Sequence, residues 1–402
     1  MKKLLVLLLA MLLAFGGWLS WKEIQPADSP VPMEEPAEEP TGEQAGEEAQ
    51  EAVVIREVDY DAIRALRNAE EPVVTVKDQS VTWGQFCDLL QATGMDIQNY
   101  FAQMAAYYGV AADWEGSVGD GTGQNFAQYA VNETREYIES ILTVRAFADE
   151  HGVKLSGEDL ASLEAAALAE ELLGEGADVE EFYSRLESEA NMSYETYRLM
   201  RETSLLYSRT FEELYGLNGE KISEEDAVAY LAEQGYLAAH HILLMTIDPN
   251  TGDALDEDTV SEKTARAGEI AAELQAIEDQ EELLRRFKEL KTEFCEDTGK
   301  EIYPDGYTFF PGTMVQEFED AVRGLEEYAV SDPVKTAYGY HVIMRLPLHG
   351  DASLTTLTGT ASTARGEIAQ QRMTEALDAF QEANPATFAE GVEDFDLMPY
   401  IK

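Results

Sequence analysis

Residues 235–245 read GYLAAHHILLM and place His240 beside His241 in a chain that has five histidines among its 402 residues. The run is short, aliphatic and followed by the turn-forming stretch IDPNTGD, which predicts a β-strand. Successive side chains of a strand point to opposite faces. His241 therefore shares a face with Leu243 and Met245, and at most one of the two histidines can look into a given pocket.

The composition limits the partners that the chain can have. Its 28 basic and 79 acidic residues give a formal net charge of −51. Because nucleic-acid binding depends on neutralising phosphates with lysine and arginine, this charge argues against it. It argues equally against attraction to an anionic lipid surface, except at the extreme N-terminus. A length of 402 residues with 45% hydrophobic content allows two or three domains with their own cores.

Residues 1–25 are expected to be an export segment. They begin MKKLLVLLLAMLLAFGGWLSW, in which two lysines precede a strongly apolar run. Ala14 and Gly16 form a candidate cleavage site for a signal peptide. The alternative is an uncleaved anchor, because the apolar run continues to about 18 residues, just long enough to span a bilayer. Both interpretations export the remaining chain, either to the extracytoplasmic face of the cell membrane or into the medium.

Residues 26–52 are expected to be a disordered acidic linker. The stretch is rich in proline, glycine and glutamate and contains no lysine or arginine. Such a composition cannot bury enough apolar area to form a core, so it favours a self-repelling spacer. A tail that binds a partner is the alternative.

Residues 53–234 are expected to form a mostly helical domain. A strand at Val73–Val76, a KDQS turn and a helix capped by Thr82 open it, and apolar residues then recur at three- and four-residue spacing. The stretches NYFAQMAAYYGV and GQNFAQYAVNE are rich in aromatic residues and methionine. Core packing explains this content. The alternative is a partly exposed groove for unfolded polypeptide, which flexible methionines and flat aromatic rings suit.

Residues 235–348 are expected to form an α+β domain. An acidic loop, 246–263, follows the first strand, and helical patterns come after it. The segment GTMVQEFEDAVRGL predicts a short helix with Met314 and Phe318 on one face. The segment DPVKTAYGYHVIMRL predicts two strands joined by a tight turn through Tyr338 and Gly339.

Residues 349–402 are expected to form a closing helix and tail. The helix has one apolar side, and Pro385 ends it. The residues on that side are Ile368, Met373, Leu377 and Phe380. Helix and tail are expected to pack on the 53–234 region, which would make the α+β domain an insertion.

Four motifs occur in order between residues 236 and 348: AHHILL, FKELKTEFCED, FFPGTMVQEFEDAV and DPVKTAYGYHVIMRL. In this order and at these spacings the sequence resembles the parvulin-type peptidyl-prolyl isomerases. The wider layout, with its V-x-V-K-D-x-x-V-T hairpin, is similar to the PrsA-type extracytoplasmic foldases. The resemblance implies an α+β fold: a mostly helical, chaperone-like domain with an inserted parvulin domain, a small antiparallel sheet flanked by helices, behind an N-terminal membrane segment.

The resemblance also implies a set of site residues. Its polar members match the family's hydrogen-bonded network: His241, Asp297, Thr336 and His341. His240 faces away from that network. The floor of the proline pocket matches three apolar residues: Phe309, Met314 and Phe318.

The chain departs from the family in two places. In YPDGYTF, the pocket wall that a leucine forms in the family falls to Gly306 or Tyr307. Cys295 stands where the family has serine, and a two-residue slip of the loop would bring it to the site in place of Asp297. Cys295 and Cys87 lie far apart in sequence; they can pair outside the cell, and neither has the spacing of a metal ligand.

The implied activity is cis-trans isomerisation of Xaa–Pro bonds combined with chaperoning of unfolded or newly exported polypeptides. The alternatives are a holdase whose parvulin domain is weak or inactive, and a surface adaptor that only uses the fold. His241, His341 and Asp297 could in principle ligate zinc. In the resembled family these residues hydrogen-bond to one another, so neither metal nor cofactor is expected.

The loop after the first strand bears on substrate choice. Parvulins that act on phosphorylated Ser-Pro or Thr-Pro carry arginine and lysine there, which hold the phosphate. Here the loop TIDPNTGDALDEDTVSEK is acidic and has no base before Lys263. The sequence therefore favours non-phosphorylated Xaa–Pro bonds.

Overall fold

The computed structural model describes residues 55–108, 113–119, 121–355 and 362–402. The expected export segment and acidic linker lie outside the described residues. Within the described ranges, every helix is too short or too polar to cross a membrane. The chain has an α+β fold with two compact units, one made of the residues up to Thr210 together with Thr374–Lys402, the other of Phe211–Met373.

Helices dominate the chain up to residue 234. The elements there are α1 (Tyr60–Arg64), β1 (Pro72–Val76), β2 (Gln79–Thr82), α2 (Trp83–Tyr108), α3 (Phe126–Glu150), α4 (Gly157–Ser162), α5 (Ala165–Leu173), α6 (Val179–Glu189), α7 (Tyr194–Tyr215) and α8 (Glu224–Glu233). The predicted strand at Val73–Val76 and the helix after Thr82 are both present.

Strands and helices alternate after residue 234. The elements are β3 (Leu237–Met245), α9 (Glu257–Gln275), α10 (Gln280–Phe294), a 3-10 turn (Thr298–Glu301), β4 (Tyr307–Phe309), α11 (Gln316–Gly324), β5 (Val334–Lys335), β6 (Gly339–Leu346), β7 (Ser353–Thr355), β8 (Ser362–Thr363), α12 (Ala364–Ala383), β9 (Thr387–Phe388) and a last 3-10 turn (Met398–Tyr400). The predicted loop 246–263 is shorter than expected, because the Asp256 side chain accepts the Thr259 amide and starts α9 there.

The second unit is built on a six-stranded sheet in the order β5-β6-β3-β4-β7-β8. Its central strand β3 is buried on both faces along nearly its whole length. The face of Ile242 and Leu244 packs on α9 and α10, chiefly through Ala267, Ile270, Leu274, Phe287 and Leu290. The face of Leu237 and Ala239 packs on β4 and α11, chiefly through Phe309, Phe318 and Val322. Burial on both faces explains why the sequence of β3 is continuously apolar apart from its histidines.

The first unit combines helices with a three-stranded sheet in the order β2-β1-β9. The aromatic-rich stretch of α2 divides between its core and its surface. Phe101 is buried and meets Trp114 edge-on at 5.4 Å, whereas Tyr100 and Tyr107 are 45% and 81% exposed. Core packing therefore accounts for only part of the aromatic content. Both cysteines are buried and free, Cys87 in α2 and Cys295 after α10.

A buried carboxylate joins α2 to the start of α7 in the first unit. Asp88 Oδ2 accepts hydrogen bonds from the Ser193 amide at 3.0 Å and from the Ser193 and Thr196 hydroxyls at 2.6 Å. Its Oδ1 pairs with Arg64 at 2.7 Å. The carboxylate thereby satisfies donors at the N-terminus of α7, where a negative charge is also favoured by the helix dipole.

We expect Asp88→Ala to lower the free energy of unfolding of the first unit by about 3 kcal/mol, because the guanidinium and three donors lose their buried partner. Urea unfolding followed by the fluorescence of the buried Trp83 and Trp114 measures the loss. The matched control is Glu187→Ala on the exposed side of α6, which should change stability by less than about 0.5 kcal/mol. Equal effects of the two substitutions would contradict this account of Asp88.

Candidate active site

The pairing of β3 with β6 brings two histidines to one face of the sheet. Leu243 lies opposite His341, and His241 lies opposite Ile343. Because directly paired residues point to the same side, His241 and His341 are diagonal neighbours there. His240 occupies the other face, where it is 2% exposed and stacks on Phe287 of α10 with ring centroids 5.5 Å apart.

His241 is hydrogen-bonded to a carboxylate from the loop after α10. Its Nε2 lies 3.0 Å from Asp297 Oδ2. The same oxygen accepts the Tyr307 hydroxyl at 2.6 Å, and Oδ1 accepts the Gly299 amide at 3.0 Å. Asp297 thus caps the 3-10 turn and orients the imidazole at once.

His341 is fixed by the strand before it. Its Nε2 lies 2.9 Å from the Thr336 hydroxyl, which also accepts the Tyr338 amide in the turn between β5 and β6. The two imidazole rings lie 5.2 Å apart and nearly perpendicular. The structure therefore brings all four predicted polar residues together: His241, Asp297, Thr336 and His341.

The predicted apolar residues lie beneath the two imidazoles. Phe318 is buried and presents its ring edge-on to His241 at 5.3 Å and to His341 at 5.6 Å. Phe309 has no exposed surface and backs Phe318 at 5.8 Å. Met314 is half-buried and packs against the same cluster. Together they give the site an apolar floor.

Met314 does not lie in a helix, so the prediction of a helix that carries both Met314 and Phe318 is wrong, although both residues pack in the same cluster. The helix α11 begins at Gln316, and Val315 before it is extended. Glu319, which is buried, accepts the amides of Gly312 and Met314 at 2.8 and 3.1 Å and ties the loop to the helix. Glu319 was not among the predicted site residues, although it directly follows Phe318 in the motif FFPGTMVQEFEDAV.

Tyr307, and not Gly306, occupies the position next to His241. Gly306 has φ +101°, and a Cβ there would lie 2.8 Å from the Ala239 carbonyl oxygen. Tyr307 follows it in β4, pairs with Ala239 and stacks on the His241 ring at 5.4 Å. Its side chain thus joins the polar network, whereas the resemblance implied a place for it in the wall of the proline pocket.

Cys295 does not replace Asp297 in the hydrogen-bonded network. Its thiol accepts the Leu243 amide at 3.4 Å and packs in the cluster formed by β3, α9 and α10. The loop therefore has the register in which Asp297 bonds to His241 Nε2. Within the described ranges, no group of three histidine, cysteine or acidic side chains is arranged to hold a metal ion.

The pKa values of the two imidazoles shift in opposite directions. Burial lowers the pKa of His241, but the hydrogen bond with Asp297 and the nearby Cys295 thiol outweigh burial and raise the pKa above its ordinary value. Burial and the nearby His241 lower the pKa of His341 to about 3. Burial alone would raise the pKa of Asp297, yet the donors His241, Tyr307 and Gly299 hold it well below its usual range. At neutral pH the site thus combines an ionised carboxylate with a neutral His341.

Comparison with known proteins assigns a domain family to this region. Residues 241–346 match the family model of the rotamase, or PPIC-type PPIase, domain. They are a parvulin-type peptidyl-prolyl isomerase domain.

The curated relatives are foldases. Foldase protein PrsA of Geobacillus kaustophilus is 43% identical over 83 residues, which are 20% of this chain and 26% of that protein. Foldase protein PrsA 3 of Bacillus cereus is 45% identical over 83 residues, again 20% and 26%. The matched region thus spans about a quarter of the length of these relatives.

Solved structures align over more of the chain. The peptidylprolyl isomerase PrsA of Bacillus cereus aligns with 81% of this chain and 96% of its own length, at 17% identity and a TM-score of 0.27. PrsA of Bacillus subtilis aligns with 83% and 93%, at 18% identity and a TM-score of 0.24.

The buried His240 behind the site predicts sensitivity to acid. Burial and the charge of Lys291 lower its pKa from 6.5 to about 3, so the unfolded chain takes up a proton that the folded chain resists. The stability that neutral His240 contributes is complete above pH 6.5 and is lost as the pH falls toward 3. We expect His240→Leu to make the free energy of unfolding fall less steeply across this window.

Urea unfolding followed by circular dichroism at several pH values gives these slopes. Leu290→Ala removes an apolar side chain from the cluster on the same face of β3 and no titratable group, so it should lower stability and keep the wild-type slope. Identical pH dependence in wild type and His240→Leu would contradict the prediction.

Proposed function

We propose that the chain is a peptidyl-prolyl cis-trans isomerase and folding chaperone for exported polypeptides. The observation that carries the proposal is the perpendicular pair of imidazoles, His241 and His341, held by Asp297 and Thr336 over an apolar floor. The relatives named as foldases support the same conclusion.

Catalysis of this rotation requires a site that holds the proline ring and sets the polarity around the amide. Rotation about the Xaa–Pro bond meets a barrier of about 18–20 kcal/mol, which amide resonance sets. The twisted amide is less charge-separated than the planar one, so a poorly solvated pocket favours it. Rotation forms no covalent bond to the enzyme and requires no nucleophile.

Each side chain then has a role in this proposal. Met314, Phe318 and, behind them, Phe309 hold the proline ring. His241, Asp297, Thr336 and His341 fix the polarity of the opposite wall and keep its shape. The neutral state of His341, which follows from a pKa of about 3, keeps a second charge out of the pocket.

We assign the remaining regions, 53–234 and 349–402, to one chaperone-like domain. The isomerase domain, 235–348, is inserted into the sequence of that domain. Tyr100 and Tyr107 in α2 expose aromatic surface that suits unfolded polypeptide. The apolar start of the sequence, 1–25, supports export and attachment to the membrane or secretion after cleavage, with 26–52 as a spacer.

We expect the full chain to accelerate isomerisation of Xaa–Pro peptides, and Met314→Ala to lower kcat/KM about tenfold, since a side chain of the pocket floor is lost. A protease-coupled or NMR exchange assay measures the rate. Met398→Ala, a methionine of the first unit, is the matched control and should leave the rate unchanged. His341→Ala should lower the rate as well, provided that its circular dichroism matches that of wild type.

If the wild-type chain is folded and the isomerisation rate in its presence equals the uncatalysed rate, the enzyme proposal is contradicted. If that chain still suppressed aggregation of a chemically denatured protein in light scattering, the holdase alternative would take its place.

The charge around the second unit bears on the substrate. The loop between β3 and α9 carries Asp248, Asp253 and Asp256. The base that follows, Lys263 in α9, is already paired with Glu296 at 2.5 Å. A phosphate group, which adds about −1.5 to −2 charge, would meet repulsion there and from the net charge of −51.

We therefore expect a matched Ser-Pro peptide to be isomerised at least about tenfold faster than its phosphorylated form at low salt, with a smaller gap at high salt because ions screen the repulsion. Assays of both peptides at two ionic strengths measure the ratio. An apolar-Pro peptide without a phosphate site controls for effects of salt on the enzyme itself. Faster turnover of the phosphorylated peptide would show that the loop does not select against phosphate.

A further inference from the structure

Tyr307 makes two contacts that a wall of the proline pocket does not need. Its hydroxyl donates to Asp297 Oδ2 at 2.6 Å, and its ring lies nearly parallel to that of His241, with an interplanar angle of 18°. The side chain is 7% exposed. Its hydroxyl is thus committed to a carboxylate and one face of its ring to an imidazole.

The surroundings of Tyr307 are fitted to this position. A Cβ on Gly299 would lie 2.0 Å from the Tyr307 hydroxyl oxygen, so an alanine there would collide with it. The amide of the same glycine donates to Asp297 Oδ1. Gly299 therefore leaves room for the hydroxyl while it holds the other oxygen of the carboxylate.

We propose that Tyr307 is a positioning residue of the isomerase site, which acts on the substrate through Asp297 and His241. Its hydroxyl and the His241 ring share one carboxylate oxygen, and its own ring limits rotation of the imidazole. The proposal rests on the proposed function for its kinetic consequence, but the hydrogen bond that it invokes can be tested without any activity.

Removing the hydroxyl tests the kinetic part. In Tyr307→Phe the ring stack remains and the carboxylate loses one donor. We expect kcat/KM of the full chain to fall about fivefold, close to the worth of one hydrogen bond. The fall should lie in kcat with little change in KM, because the proline floor is untouched. Tyr303→Phe is the matched control: its ring lies 4.8 Å from that of Tyr307, and its hydroxyl has no hydrogen bond within the described residues.

The titration of His241 tests the hydrogen bond itself. The titratable groups that face this ring are Asp297 and Cys295 from the loop after α10, Tyr307 from β4 and His341 from β6; α11 contributes Phe318, which does not titrate. With one donor fewer, Asp297 keeps more negative charge toward the imidazole. We expect His241 to titrate at a higher pH in Tyr307→Phe than in wild type.

NMR of the full chain labelled in its five histidine rings resolves this titration. The proposal is supported if His241 titrates at a higher pH in Tyr307→Phe and at the wild-type pH in Tyr303→Phe, whether or not the chain proves active. An unchanged or lower titration point overturns it. If wild type shows no isomerase activity while the titration shifts as expected, the proposed function fails and the role of Tyr307 in the network stands.

Gly299→Ala provides an independent check. Its added methyl should displace the hydroxyl and lower kcat by a similar factor. In the Tyr307→Phe background the same substitution should cost much less, because no hydroxyl remains to be displaced. Equal losses in both backgrounds would overturn the proposal.

Discussion

The antiparallel register between β3 and β6 is the constraint on which the candidate site depends. Eight residue pairs define it, from Ala238 with Leu346 to Met245 with Gly339. A slip of one residue would turn every side chain of β3 to the opposite face, so that His240 and not His241 would meet His341. Apolar clusters cover both faces of β3. Packing therefore selects which of two adjacent, chemically identical side chains takes part in the site.

The same register places the two imidazoles in surroundings that shift their pKa values in opposite directions. His241 lies beside an ionised carboxylate and His341 beside a hydroxyl, in equally buried surroundings. A charge on one ring disfavours a charge on the other, and the Asp297 carboxylate favours the charge on His241. The pKa of His241 is consequently raised and that of His341 lowered, although the residue types alone do not distinguish the two rings.

Local patterns predicted the features that depend on neighbouring residues. Alternation along β3 separated His240 from His241, and the ordered motifs indicated the residues that gather around Asp297. Patterns failed where a distant group decides the conformation. The loop at Met314 stays non-helical because the Glu319 carboxylate binds its amide, and Tyr307 turns to Asp297 because Gly299 leaves space. Local propensity also does not predict the pairing of β9 with β1, because the two strands lie far apart in sequence.

That pairing has a consequence for the order of folding. Val74 of β1 lies opposite Phe388 of β9, so the first unit completes its sheet only with the last residues of the chain. All residues of the second unit, from Phe211 to Met373, emerge earlier and are contiguous. Closing so long a loop carries an entropic cost that a preformed insert reduces. During synthesis the second unit is therefore able to reach its native state while the unit that surrounds it in sequence is still incomplete.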